Sequence, residues 1–464
     1  MKVTLLGHAS MLVEMDGRNV LVDPVFQDPF SDGAVAACPA REVYPDRFPR
    51  LDAVFLSHLH LDHFDVRSLV QLPRTLPFLC PEDPAIVYGL NKLGFMNIRM
   101  LAPDTRVDLG NGCELLTTLS STDVIEVGVV FRDRSGTFWN EVDSVVVPAT
   151  IRRVQAAMGH VDLLFSGYAA QNVRFFETMR AGYPLDIATA NLANVKMVGP
   201  TLVVPGSAGY RFAGLLEWAN PFLFPVSRQA FLEDLARVAP EVPAALANPG
   251  DVFELAAGRV TRQPAASTYA RMIEDDTWRV AFDASAPVPR LTDPNPLGYS
   301  PELIDKQVTD CFDGVERLVR AVYTGDRVDA LIDGYRRTGF SYSVGVIYPD
   351  GHERWLYIAF EPAAPRVVRA TTPIRGAIAS HRVAASMLTA RARYERGYLY
   401  YRGFFRLTQT FLGTRVEAGS VFHESDEPDD LLGYYLANKA PGAERAAEAR
   451  LDFQIESLRR EGTG

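Results

Sequence analysis

Three histidines and one aspartate lie within six residues of one another: His58, His60, Asp62 and His63. They directly follow the apolar run at 53–56, which predicts a loop at the end of a strand. Side chains at positions 58 and 60 can point the same way, and a turn at 62–63 brings a second pair toward an adjacent ion. Imidazole and carboxylate groups bind zinc, iron and manganese, and the donor types alone do not choose among them. We therefore predict a site for a pair of metal ions, with Asp62 also as a candidate catalytic residue.

Other chemical motifs are weak or missing from the sequence. The segment at 58–63 is poorly explained as an incidental polar loop, because this segment holds three of the chain's eight histidines. Gly206 and Gly209 are not followed by the Lys-Ser/Thr pair of a nucleotide-binding loop, and the sequence contains no Gly-x-Ser-x-Gly elbow. The four cysteines lie far apart, which argues against a zinc ribbon, an iron–sulfur cluster or a dense disulfide framework.

The His-x-His-x-Asp-His sequence after a strand resembles the signature of the metallo-β-lactamase fold superfamily. The segments at 6–10 (LGHAS) and 21–24 (LVDP) are similar to the opening of the branch that contains L-ascorbate-6-phosphate lactonase and the N-acyl phosphatidylethanolamine phospholipase D enzymes. The resemblance covers roughly residues 1–260. It implies an αβ/βα sandwich with the metals at one edge between two sheets.

The sequence departs from the hydrolases of that superfamily at two histidine positions. They usually add a histidine after the next strand pair, a bridging aspartate and a last histidine after a late strand. The first position falls at 118–123 and the last at 204–209, and neither segment contains a histidine. The resemblance implies that Asp143 is the bridging carboxylate and that Asp123 is a further ligand, although Asp123 could equally be an exposed turn residue. A standard dizinc hydrolase site cannot be assembled from these positions alone.

The changed segments look like the metal domain of CMP-N-acetylneuraminate hydroxylase and its bacterial relatives. They are, as an ordered set, 121–123, 140–143, 205–209, 220–221 and 249–251. This narrower resemblance implies oxygen chemistry. That hydroxylase also carries an N-terminal Rieske domain, which this sequence does not have, so electrons would come from a separate protein or from the substrate. Replacing a histidine by Asp123 makes the site harder, which favours iron or manganese over zinc.

Three further residues are assigned roles by their places in the superfamily pattern. His8 and Asp23 end early strands that point toward the metal edge, where they are expected to hydrogen-bond a metal-bound histidine and fix its tautomer. A core histidine and a turn-capping aspartate are equally good alternatives. Glu141 is a candidate catalytic residue, and the sequence leaves open whether it is a ligand, a general base or an outward-facing side chain.

Residues of two later loops are candidates for the substrate pocket. Tyr168 follows the predicted strand at 163–165, and Ser207 and Tyr210 follow the one at 201–204. Aromatic packing in the core is the commoner explanation for both tyrosines.

The order of elements predicts the α/β fold class. Apolar runs at 3–6, 11–14, 53–56, 115–119, 124–130, 163–165 and 201–204 are typical of strands, with helices at 84–93, 150–158 and 226–238 between and after them. We predict a metallo-β-lactamase-like metal-binding catalytic domain at 1–265 and a Pro-rich linker at 266–300. A smaller α+β domain at 301–464 loosely resembles sterol-carrier proteins; within it we predict helices at 304–322, 327–337 and 380–392, with strands at 340–347, 354–360 and 367–370.

Length and composition limit the possible partners. The chain has 464 residues and a net charge of −10, from 47 Lys+Arg against 57 Asp+Glu, so nucleic acid is an unfavourable partner. A hydrophobic fraction of 47% is enough for packed cores, and no apolar stretch approaches the roughly 20 residues that span a bilayer. A cytoplasmic location is the default expectation. A homo-oligomer is left open.

These observations favour a non-haem, diiron-dependent oxidoreductase, similar to a hydroxylase or monooxygenase, acting on a small molecule. Its cofactors would be two transition-metal ions, iron first and zinc or manganese next, with dioxygen as co-substrate and a separate electron-transfer protein as a partner. The alternative is a metal-dependent hydrolase of a lactone, ester or phosphodiester that uses a metal-bound hydroxide. A third alternative is a non-catalytic relative that keeps the metal loop and uses the fold for binding.

Overall fold

The computed structural model describes the chain except for residues 169–170, 173–174, 375–376, 378, 411–413, 418–419, 424–429 and 462–464. The chain divides into a first unit, chiefly Met1–Asn172 with Ala181–Ala286, and a second unit, chiefly Pro287–Gln454. No helix in the described part of the chain is both long and apolar enough to cross a bilayer.

The strands are numbered along the chain. They are β1 (Lys2–Gly7), β2 (Ser10–Met15), β3 (Arg18–Val22), β4 (Val35–Ala37), β5 (Ala40–Val43), β6 (Ala53–Phe55), β7 (Phe78–Pro81), β8 (Ile98–Leu101), β9 (Arg106–Gly110), β10 (Cys113–Leu119), β11 (Val127–Asp133), β12 (Gly136–Asn140), β13 (Leu163–Ser166), β14 (Leu202–Pro205), β15 (Tyr210–Phe212), β16 (Val252–Ala256), β17 (Arg259–Gln263), β18 (Ala270–Glu274), β19 (Ser341–Ile347), β20 (Glu353–Ala359), β21 (Arg366–Ala370), β22 (Ala379–Ala384), β23 (Phe405–Thr410), β24 (Thr414–Glu417) and β25 (Ser420–His423).

The helices are numbered in the same way. They are α1 (Val66–Leu69), α2 (Pro84–Lys92), α3 (Pro148–Met158), α4 (Phe175–Thr178), α5 (Leu185–Val198), α6 (Asn220–Leu223), α7 (Arg228–Val238), α8 (Pro301–Thr324), α9 (Ala330–Thr338), α10 (Ala385–Ala392), α11 (Tyr398–Gly403), α12 (Leu431–Asn438) and α13 (Ala446–Glu461).

Two sheets form the core of the first unit. One has the order β17-β16-β1-β2-β3-β6-β7-β8 and the other the order β14-β13-β12-β11-β10-β9. Their facing side chains share one apolar core, with Val13 and Phe55 from the first sheet and Phe131 and Phe165 from the second. Burying both inner faces in this way is what drives two sheets together.

The strand directions bring several strand ends to the same edge of each sheet. In the first sheet β1 and β3 both run antiparallel to β2, and β3 runs parallel to β6. In the second, β10 and β12 both run antiparallel to β11, and β12 runs parallel to β13 and then β14. The loops that follow β1, β3 and β6 therefore lie together, as do those that follow β10, β12 and β14.

Local sequence explains where the main helices begin. Asp83 accepts a hydrogen bond from the Ala85 amide at 2.8 Å, and Pro84 occupies the first turn of α2. Ser300 and Pro301 start α8 in the same way, and Gly325, with φ 80°, ends it.

A five-stranded sheet organises the second unit, in the order β21-β20-β19-β22-β23. Its core combines one face of α8, including Phe312 and Val319, with buried side chains of β19, including Tyr342 and Val344. Strands β24 and β25 form a separate two-stranded hairpin.

The predicted α/β class is confirmed, and three local predictions are corrected. The segment 380–392 is not one helix, because β22 pairs with β19 and only 385–392 is helical. The strand expected at 124–130 begins at Val127 and runs to Asp133. Part of the segment expected as a linker, Ala270–Glu274, is strand β18, because it pairs with β5, which lies far away in the sequence. Helix α5 was not expected from the sequence.

Candidate metal centre

The site lies where the loops that follow several strands of both sheets meet. His8 follows β1, Asp23 follows β3, and the histidine loop follows β6. Asp143 comes from the second sheet, three residues after the end of β12. The strand directions thus bring together side chains that are far apart in sequence.

A tight turn shapes the histidine loop. The amides of His63 and Phe64 both donate to the carbonyl of His60, at 2.9 and 2.8 Å. Phe64 is fully buried, and Asp65 then caps α1 by accepting from the Ser68 amide at 3.1 Å. The turn separates the histidines that precede it from the Asp62–His63 pair, as the spacing predicted.

The first group of potential ligands consists of His58, His60 and Asp143, whose donor atoms lie within 4.8 Å of one another. His58 Nε2 lies 2.9 Å from His60 Nδ1 and 4.0 Å from Asp143 Oδ2. His58 is fully buried, and its Nδ1 lies 2.9 Å from Ser57 Oγ, which leaves Nε2 to face the group.

The second group consists of His8, Asp62 and His63, within the same 4.8 Å limit. Asp62 Oδ2 lies 3.1 Å from His8 Nε2 and 3.8 Å from His63 Nε2. The two rings meet edge to face, with their centroids 5.2 Å apart. His8 was expected to hydrogen-bond a histidine, but its Nε2 faces the Asp62 carboxylate, because β1 ends beside that side chain.

Asp143 connects the two groups. The same oxygen, Oδ2, that faces His58 lies 3.3 Å from His63 Nε2. A carboxylate in this position can bind both of two adjacent cations. The bridging role that the resemblance implied for this residue stays a prediction, and this placement is the geometry that the role requires.

Asp23 and Ser57 hold the loop from behind. Asp23 Oδ1 accepts from the Ser57 amide at 2.8 Å, and its Oδ2 accepts from Ser57 Oγ at 2.6 Å. The same Oδ2 lies 3.0 Å from His63 Nδ1. With Nδ1–H donated to Asp23, His63 turns Nε2 toward the site, where the neutral ring would offer its lone pair to a metal ion; protein partners orient metal-bound histidines in this way.

The residues present fit metal ions. His63 Nε2 is buried and makes no hydrogen bond to any described residue, although carboxylate oxygens lie 3.3 and 3.8 Å away. A buried polar atom of this kind needs a partner, and a cation between the imidazole and the carboxylates supplies one. Imidazole nitrogen and carboxylate oxygen suit zinc, iron and manganese alike.

The electrostatics of the groups point the same way. Burial lowers the pKa of His58 well below its ordinary value, and the adjacent His63 lowers it further. Burial also opposes the charge on His63, but Asp143 and Asp62 raise its pKa well above the ordinary value. Against their own burial, His63 holds the pKa of both carboxyls below the usual range. Both carboxylates thus compete for one proton, whose place a metal cation can take.

Asp123 and Glu141 belong to neither group. Asp123 is exposed on the loop after β10. Glu141 is buried, and its Oε2 accepts from Ser166 Oγ at 2.8 Å and from the Gly167 amide at 2.9 Å. Burial raises the pKa of Glu141 to about 7 against those two hydrogen bonds. In this position Glu141 ties the end of β12 to the end of β13.

The three pocket candidates differ in their surroundings. Tyr210 meets the ring of His8 edge to face at 5.3 Å, and burial together with Asp62 and Asp143 raises its pKa well above the ordinary value. Ser207 Oγ is buried and has no hydrogen-bond partner among the described residues. Tyr168 packs against Phe231 of α7 at 5.9 Å, in the manner of a core aromatic.

Sequence reasoning missed Glu126, seven residues after the end of β10. Its Oε1 accepts from Ser120 Oγ at 2.5 Å and from Thr122 Oγ1 at 2.9 Å, and the side chain is buried. Burial raises its pKa, and it also interacts electrostatically with Asp143 and His60. The sequence signal was present as a carboxylate just before the apolar start of β11, in the loop where a histidine was sought.

Residues 18–183 match the family model described as the Beta-lactamase superfamily domain. Together with the two-sheet core and the His/Asp loop, this match makes that part of the chain a metallo-β-lactamase-like domain. The superfamily predicted from the sequence is confirmed for this domain.

Three similar proteins illustrate the range of relatives. An uncharacterized protein of Mycobacterium tuberculosis is 40% identical over 85 residues, which are 17% of this chain and 23% of that protein's length. An isothiocyanate hydrolase from Delia radicum gut bacteria has 18% identity and a TM-score of 0.42, covering 55% of this chain and 100% of the other. CmlA, a diiron beta-hydroxylase from Streptomyces venezuelae, has 16% identity and a TM-score of 0.40, covering 56% and 54%.

The metallo-β-lactamase-like domain thus carries two His/Asp groups that could hold metal ions.

Proposed function

We propose that the protein is a non-haem oxidoreductase of the hydroxylase type that holds two iron ions and acts on a small molecule. The observation that carries the two-ion centre is the placement of Asp143 Oδ2, which faces His58 on one side and His63 on the other. His58, His60 and Asp143 would hold one ion. Asp62 and His63 would hold the other, with Asp143, whose Oδ2 lies 3.3 Å from His63 Nε2, as a shared ligand.

The choice of iron rests on the carboxylates. Glu126 lies in the loop where hydrolases of this superfamily place a histidine, it interacts electrostatically with His60 and Asp143, and we propose it as a further carboxylate ligand of the ion that those two residues would hold. A carboxylate in place of an imidazole makes the donor set harder and favours iron or manganese over zinc. An iron pair supplies the redox chemistry that activates dioxygen, which side chains alone cannot provide.

The chain's own residues prepare the site for that chemistry. Asp23 fixes the tautomer of His63 through its Nδ1, at 3.0 Å. Burial of His58 and His63 keeps water from the inner side of the centre, whereas Asp62 and Asp143, with 23% and 27% of their side chains exposed, form its open side. We propose that substrate enters there, past Tyr210 and Ser207.

Elemental analysis of protein purified without added metal tests this proposal. We expect iron near two per chain and an absorption band that changes with reductant and oxygen. The variant His60→Ala should lose metal. The control His160→Ala should keep it, because His160 is exposed and its ring forms a hydrogen bond with Thr201, away from both groups of potential ligands. Full metal content in His60→Ala would contradict the site.

A metal-dependent hydrolase of a lactone, ester or phosphodiester is the second candidate. The observation that favours it is the composition of the two groups, which hold four imidazoles against two carboxylates. More nitrogen donors suit zinc, which polarises water or a carbonyl for hydrolysis. Zinc in the purified protein, with turnover of generic esterase or phosphodiesterase substrates, would select this candidate.

We also propose a source of electrons and a role for the second unit. The reaction needs electrons, for which we propose a separate electron-transfer protein or the substrate itself. We also propose that the second unit, whose helices cover one sheet, acts as an accessory domain of the sterol-carrier type.

A further inference from the structure

The loop after β14 has no histidine, and the backbone of His8 lies beside that loop. A Cβ placed on Gly209 would lie 3.1 Å from His8 Cα, and the Gly209 carbonyl accepts from the Cys38 amide at 3.0 Å. The late loop is therefore packed directly against the end of β1. The space next to the Asp62–His63 pair is occupied by His8, which follows β1.

The backbone before His8 is held in an uncommon conformation. Gly7 has φ 120° and His8 has φ 51°, in the region that side chains other than glycine rarely adopt. Arg41 Nη1 donates to the carbonyls of Leu6 and Gly7 at 3.0 and 2.8 Å, and Arg41 Nε pairs with Asp28 at 3.3 Å. Strain of this kind persists where the surroundings impose it, and it is common at functional sites.

The ring of His8 is fixed from two sides. It stacks on Phe30 at 5.9 Å and meets Tyr210 at 5.3 Å, and only 5% of the residue is exposed. Its Nε2 lies 3.1 Å from Asp62 Oδ2, on the side where His63 Nε2 lacks a hydrogen-bond partner. The constrained backbone and the packed ring together aim one nitrogen at the second group.

We propose that His8 is a ligand of the metal ion held by Asp62 and His63, and that it replaces the nitrogen ligand missing after β14. The inference rests on the two-ion centre of the proposed function and adds a ligand that the motif does not contain. The alternative role, a hydrogen bond that merely orients Asp62, needs only a donor at the Nε2 position.

The variant His8→Gln separates these roles, because its amide can still donate to Asp62 but is a poor metal ligand. The full-length protein is stripped with a chelator and titrated with Zn²⁺ in competition with a colorimetric indicator. We expect two ions in the wild type and in the control His160→Gln. In His8→Gln we expect one ion at unchanged affinity and the other weakened by more than about 100-fold, which exceeds the about 10–100-fold that changes to outer partners cost.

Two binding outcomes would overturn the inference. Wild-type affinity for both ions in His8→Gln would leave His8 only the orienting role. Equal weakening of both ions would show that His8 does not belong to one of them. A wild type that binds fewer than two ions would instead refute the proposed centre itself.

A second measurement uses the wild type, so it holds even if His8→Gln fails to fold. Protein labelled with ¹⁵N at its histidine rings is compared with and without Zn²⁺ by NMR. In four rings, those of His8, His58, His60 and His63, one nitrogen should move to the chemical shift of a metal-bound nitrogen. A His8 ring whose two nitrogens keep the shifts of an unbound imidazole would overturn the assignment.

Discussion

At the scale of single residues, one carboxylate oxygen lies between the two groups of potential ligands. Asp143 Oδ2 faces imidazoles of both groups, and Asp62 Oδ2 faces His8 and His63. Without a cation these carboxylates depend on the proton of His63, whose pKa they raise well above its ordinary value against the effect of burial. Metal binding replaces that proton, so it should release protons from the protein.

Replacing Asp143 by Asn should weaken both ions. The asparagine amide keeps the size of the side chain, but it lacks the negative charge of the Asp143 carboxylate, which faces both groups. Equilibrium dialysis against zinc or iron should show loss of both equivalents. The matched change Asp123→Asn, on an exposed residue, should leave binding unchanged. Normal binding in Asp143→Asn would contradict its bridging role.

Replacing Asp23 by Asn tests the support behind the histidines. Asp23 accepts from the Ser57 amide, from Ser57 Oγ and from His63 Nδ1, and an amide cannot satisfy all three. We expect metal affinity to fall by about 10–100-fold, measured by chelator competition. Asp52→Asn, at a partly exposed ion pair with Arg18, serves as the control. Equal affinities in both variants would show that the Asp23 contact is not needed.

At the scale of elements, the sequence predicted the helices and strands that are determined by residues close together in the chain. Helices α2 and α8 carry their own caps and apolar faces, so they could be placed from the sequence. The segment 380–392 could not, because its first part becomes a strand only by pairing with β19. Strand β18 was hidden for the same reason, since its partner β5 is more than 200 residues away.

Asp293 is expected to stabilise α10 from outside that helix. The N-cap residue of α10 is Ala384, which makes no side-chain hydrogen bond. Asp293 Oδ2 instead accepts a hydrogen bond from the Ser386 amide at 2.7 Å. Asp293→Ala should lower the free energy of unfolding by about 1–2 kcal/mol in denaturant titration. Asp283→Ala, which removes a similar but exposed contact with Ser285, should change it by less than about 0.5 kcal/mol. Equal effects would refute the capping role.

At the scale of the whole molecule, the order of the strands decides which residues meet. The motif at 58–63 could be recognised from the sequence because its ligands are close together in the chain. The sequence placed His8 at the metal edge, but its position beside Asp62 could not be foreseen, because it requires β1 to lie two strands away from β3, with its end beside the histidine loop. Glu126 was missed because the sequence does not show which side chains of the loop at 120–126 are buried.

Metal removal should destabilise the first unit. Ions that bind only the folded site stabilise it by about 3 kcal/mol at a free concentration 100 times the Kd. We expect calorimetry to show a lower melting temperature after chelation, restored when metal is returned. In His60→Ala, chelation should change the melting temperature little. A melting temperature that does not respond to metal in the wild type would contradict binding at this site.

The central claim is that two adjacent metal ions share Asp143, and anomalous diffraction at the absorption edge of the bound metal tests it most directly. We expect two peaks on either side of Asp143 Oδ2, one beside His58 and His60 and the other beside Asp62 and His63. A single peak, or peaks away from these side chains, would contradict the claim.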